Sequence, residues 1–101
     1  MALLYISEYT SLRIEDTGNP APVAWEGDGT IDQTPVVIGA QSAQSLPFAK
    51  GTRFVRLHTD VICHVKFGSN PTATAVKRLA AGQTELFGVN PGDKVAVIQG
   101  T

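Results

Sequence analysis

Apolar and polar residues alternate in short runs along the C-terminal half of the chain, and each run is cut by glycine or proline. In the clearest run, Val61, Cys63, Val65 and Phe67 fall on one face of an extended chain, with Ile62, His64 and Lys66 on the other. It stops at Gly68-Ser69-Asn70-Pro71. A second run, 94–98, follows Asn90-Pro91-Gly92-Asp93, where proline presets one dihedral angle and glycine can supply a positive one.

The same reading extends to the rest of the chain. Residues 3–9 are rich in β-branched and aromatic side chains and predict a first strand, which 12–15 continues after a bend. Two prolines and Gly18-Asn19 make 16–22 a loop, followed by a short strand over 23–26 and a second loop at 27–29. Residues 30–39 read as extended, whereas 40–46 are small and polar and favour a loop over a helical turn. Residues 52–59 predict a strand with Val55 and Leu57 on one face, and Asp60 marks a tight connection that would fold it onto 61–67 as a hairpin. Helix formers cluster in 74–81, but the threonines before them and Gly82 after them make an extended segment or a single turn equally plausible. Residues 84–89 return to strand. Seven or eight short strands spaced about ten residues apart predict an all-β domain with little helix, an antiparallel β-sandwich resembling a jelly roll.

Length and composition narrow the classes. A chain of 101 residues predicts a single domain spanning 1–101, with a modest core that would benefit from neighbouring subunits. A formal net charge of -1 offers no broad attraction for nucleic acid or an anionic membrane, so neither is expected as a partner. Lys50, Arg53, Arg56, Lys77 and Arg78 read as solvated faces. The one cysteine, Cys63, cannot form an internal disulfide and reads as a small buried hydrophobe. The first eight residues lack the basic start and length of a signal peptide, giving an expectation of cytosolic synthesis.

Candidate chemistry is sparse. His58, Asp60, Cys63 and His64 lie within seven positions, but strand alternation sends Cys63 and His64 to opposite faces, so no metal is expected there. Residues 26–32 alternate oxygen-bearing side chains but lack the closing glutamate of a calcium loop, and read as an acidic turn. Glycine spacings do not match phosphate-binding loops, and no serine sits in a nucleophile-elbow context. The expectation is a non-enzyme without a cofactor.

Phe48 to Thr59, the turn Phe67-Gly68-Ser69-Asn70-Pro71-Thr72-Ala73-Thr74, Leu79-Ala80-Ala81-Gly82 and the closing stretch from Val89 to Ile98 together resemble small structural proteins of tailed bacteriophages. The resemblance spans roughly 48–99. It implies a capsid decoration or cement protein on the capsid exterior of the virion, with the major capsid protein and further copies of itself, as dimer or trimer, for partners. Partner contacts are expected at the long loop bearing Trp25 and Asp28 and at the connection bearing Asn70, Pro71, Lys77 and Arg78. The rivals are a tail or head-tail component, a carbohydrate-binding or other ligand-binding sandwich, and a cupin-like metal enzyme. The last lacks the histidine pair and the late histidine of that fold.

Overall fold

A computed structural model describes residues 1–14, 20–27 and 29–100. The described residues form an all-β sandwich of two antiparallel sheets, with a separate two-stranded arm and no helix. Seven strands have three residues or more: β1 Leu3–Tyr9, β2 Leu12–Ile14, β3 Pro20–Ala24, β7 Phe54–Thr59, β8 Cys63–Gly68, β10 Thr84–Gly88 and β11 Lys94–Gln99. Four two-residue strands complete the set: β4 Ile31–Asp32, β5 Val36–Val37, β6 Ala43–Gln44 and β9 Arg78–Leu79.

The first sheet runs β10-β7-β1-β4, with β5 pairing β1 beyond β4, and the second runs β6-β11-β8-β9. Alternation decides what each strand buries. Leu4 and Ile6 of β1 and Val55 and Leu57 of β7 point inward to meet Cys63 and Val65 of β8 and Val95 and Val97 of β11. Phe48 and Ile38, from connecting segments, close the core. Burying each of the larger side chains contributes about 1.5–3 kcal/mol.

Several expectations change. β7 and β8 do not form a hairpin: β7 pairs with β1 and β10, while β8 pairs with β11 and β9. Both strands carry an apolar face, and stacking those faces across the sandwich buries both, which edge-to-edge pairing alone would not. The crossing is fixed by Thr59, whose hydroxyl donates to the Val61 carbonyl at 2.6 Å and faces the Val61 N–H at 3.3 Å. The following Asp60 accepts from the Leu3 N–H at 3.1 Å. Strand β3 begins at Pro20, inside the expected loop. A two-stranded ribbon is all edge, and proline is tolerated where the backbone nitrogen faces away from a ladder. Within the expected 40–46 loop, β6 pairs briefly with β11. Of the alternatives open for 74–81, the structure has a turn at Ala75 and Val76 followed by the two-residue strand β9, whose Leu79, only 1% exposed, is drawn into the core opposite Cys63.

The turn before β11 is as read from the sequence. Asp93 N–H donates to the Asn90 carbonyl at 3.2 Å, with Pro91 and Gly92 between them and Gly92 at φ +84°, the type II arrangement.

Candidate interaction surface

The outer face of the first sheet carries the molecule's polar relief. On β1 the outward residues are Tyr5, Ser7 and Tyr9, and on β7 they are Phe54, Arg56 and His58; the register sets Tyr5 against His58, Ser7 against Arg56 and Tyr9 against Phe54. Tyr9 and Phe54 stack with ring centroids 5.4 Å apart. Tyr9 is buried although it faces away from the core, because residues at the root of the arm cover it. Its phenol donates to the Glu26 carboxylate, and burial, followed by that negative neighbour, raises its pKa above the ordinary 10.0.

Grooves bounded by described residues lie on this face. One, about 480 Å³, is lined by Tyr5, Ser7, Asp32, Arg56, His58 and Asp60. Asp32 is fixed by the Ser7 hydroxyl at 2.7 Å, and His58 Nδ1 lies 2.7 Å from the Thr84 hydroxyl. Another, about 630 Å³, runs between Ala24 and Glu26 at the root of the arm and Thr84, Glu85 and Leu86 of β10. Among the described residues, the β2–β3 arm pairs with no strand of the sandwich, and the molecule measures 47 × 25 × 23 Å.

Trp25 stands where the arm rejoins the body. Its N–H donates to the Ser11 carbonyl at 2.9 Å and its own carbonyl accepts from the Thr30 hydroxyl at 3.1 Å, so the backbone holds the half-buried indole at the arm's root. A β-carbon on Gly27 would overlap the indole, so the ring packs against bare backbone. Asp28 lies outside the described residues. No protein-family model, curated protein or solved structure matches this chain.

The second group of expected contacts is divided between the two edges of the other sheet, with Asn70 and Pro71 held by Gln44 of β6 and Lys77 and Arg78 at β9. Asn70 is exposed and accepts from the Gln44 amide at 2.9 Å. Pro71 is buried, and its carbonyl accepts from the same amide at 2.9 Å. Pro71 therefore supports the turn instead of presenting a contact surface. Lys77 and Arg78 are exposed, with the Lys77 ammonium 6.0 Å from the centre of the Phe87 ring.

The four residues that suggested a metal on paper diverge in space. His58 is on the outer face of the first sheet, Asp60 is at the crossing, Cys63 is in the core and His64 is on the outer side of the second sheet. Among the described residues, no three His, Cys, Asp or Glu side chains converge as a metal set.

The sequence reading passed over Glu8, which is 2% exposed and faces inward after Leu4 and Ile6. The alternation Leu4-x-Ile6-x-Glu8 was the available signal. It also passed over the groove around Arg56, because Tyr5 and Ser7 meet Arg56 and His58 only through a register that the strands do not reveal individually.

Proposed function

We propose that this chain is a non-catalytic structural protein of a tailed-phage virion, a decoration or cement protein bound to the outer surface of the capsid lattice. The observation that supports this reading is the arm: a two-stranded ribbon leaves a packed sandwich, with the Trp25 backbone hydrogen-bonded at its root. A cement protein must hold a firm shape while reaching a neighbouring subunit, and a sandwich with a projecting ribbon meets both needs. Tryptophan at the junction is the type of anchor over-represented among interface hot spots. The resemblance of 48–99 to small phage structural proteins supplies the biological setting.

The test is to add the purified protein to capsids that lack it and image them by electron cryomicroscopy. Ordered density at regular lattice positions, lost when the arm is replaced by a short glycine linker, is the expected result. No occupancy by a correctly folded protein would sink the reading.

A ligand-binding module is the second reading, favoured by the groove in which the Tyr5 ring, 39% exposed, lies beside Asp32 and Arg56. A sugar could stack on the ring while the charged groups take its hydroxyls. Saturable binding in a glycan screen, abolished by Tyr5→Ala, would support that reading over the first.

A further inference from the structure

The sandwich has four sheet edges, and three are blunted. Strands β4 and β5 on one edge of the first sheet, and β6 and β9 on the two edges of the second, are two residues long. Strand β10 is different: five residues, Thr84–Gly88, paired on one side with β7 and, among the described residues, with no strand on the other. Proteins commonly shorten or cover such an edge because its unpaired backbone groups template another strand.

The hydrogen-bond phase identifies the groups left open. The Val89 N–H donates to the Arg53 carbonyl at 2.9 Å and the Thr59 N–H to the Gln83 carbonyl at 3.2 Å. Alternation then turns the backbone groups of Glu85 and Phe87 toward β7, and those of Thr84, Leu86 and Gly88 outward. All three outward residues are exposed, Leu86 by 50%.

From this edge we infer that the chain forms a twofold dimer by pairing β10 antiparallel with β10 of a second copy, centred on Leu86. The register is self-complementary. Leu86 meets its own counterpart and Thr84 meets Gly88, giving about six backbone hydrogen bonds. On the outer side the two Leu86 side chains meet beside the groove at the root of the arm. On the inner side Glu85 stands opposite Phe87 of the other copy, the ring that already carries the Lys77 ammonium at 6.0 Å. Each Glu85 carboxylate, which accepts from the Gln83 amide of its own copy at 3.0 Å, thus comes beside the Lys77 ammonium of the other, and no like charges are directly opposed across the new ladder. The result is one continuous sheet through both molecules.

Sedimentation equilibrium on the full chain tests this. The wild type is expected to dimerise reversibly, and Leu86→Pro to be monomeric. Proline at 86 removes an N–H that faces the second copy and leaves the β10–β7 bonds in place. Circular dichroism checks that the variant is folded. Glu85→Lys is expected to weaken the dimer about tenfold or more, because the contact occurs twice by symmetry, and adding Lys77→Glu should restore it. If Leu86→Pro fails to fold, this charge-swap pair decides alone. A wild type that stays monomeric to its solubility limit, a dimer that survives Leu86→Pro, or a dimer indifferent to Glu85→Lys overturns the inference. It stands apart from the capsid reading: a monomer that fills the lattice defeats only the dimer, and a dimer that ignores capsids defeats only the proposed function.

Discussion

The Gln33 side-chain amide donates to Glu8 Oε2 at 2.8 Å while both of its ends are engaged by one backbone unit, its oxygen by the Leu46 N–H and its nitrogen by the Leu46 carbonyl, each at 3.2 Å. That double contact prevents the amide from flipping, so a donor always faces Glu8. The other carboxylate oxygen accepts from the Ala49 N–H and the Thr52 hydroxyl, both at 2.7 Å. A single inward carboxylate on β1 therefore links three connecting segments, meeting Gln33, Ala49 and Thr52 directly and Leu46 through Gln33.

Glu8→Gln replaces an acceptor with a donor in a site supplied only with donors. Either Gln33 or the Ala49 N–H then faces an N–H group, and the cost is about 1–3 kcal/mol for the unsatisfied buried group. Urea denaturation should show a lower midpoint with an unchanged slope. A midpoint equal to wild type would mean that the carboxylate does not organise these segments.

Thr59→Val keeps the shape of a fully buried side chain and removes its hydroxyl. The Val61 carbonyl then loses its 2.6 Å donor at the crossing between sheets, and a loss of about 1–3 kcal/mol follows. The spectroscopic signature of the sheets should persist, since no ladder bond is removed. Equal thermal stability of variant and wild type would refute the role given to Thr59.

How much of this was legible beforehand differs by strand. β1 appears over the residues where its composition placed it, and the inward set Val55, Leu57, Cys63 and Val65 follows from period-two alternation alone. Pairing did not follow, because alternation says which face of β7 is buried and nothing about which strand lies beside it. The hairpin expectation failed there: a short connection at Asp60 serves a crossing between sheets as readily as a turn within one. Two-residue strands such as β6 and β9 carry too few residues to show a period, and Leu79 is extended because the core needs it, against the preference of its neighbours. Of the expected contact residues, Pro71 could not be judged from the sequence, since a proline in a turn is exposed or buried according to what packs over it.

Gly27→Ala should displace the indole of Trp25, which occupies the space a β-carbon would need. Trp25 is the sole tryptophan, so intrinsic fluorescence reports its environment without interference. A red-shifted emission in the folded variant, together with reduced occupancy on capsids, is expected if the indole is an anchor. An unshifted spectrum would show that the backbone yields in place of the ring.

Titration of the interior gives the last expectation. Burial raises the Cys63 thiol above its ordinary 9.0, and burial with the nearby Glu26 raises the Tyr9 phenol above its ordinary 10.0. In both cases the folded protein holds the proton more tightly than the unfolded chain. This contribution to stability is complete below pH 9.0 and falls as pH rises from there toward the folded-state values. Cys63→Ala removes the first of these titrations, so the decline in its stability should begin about one pH unit higher, where the Tyr9 phenol starts to ionise in the unfolded chain. The buried thiol should also resist alkylation at neutral pH until the sandwich opens, so its labelling rate should track global unfolding in urea. Rapid labelling under native conditions would place Cys63 at a surface that the packing of β8 against β1 and β7 forbids.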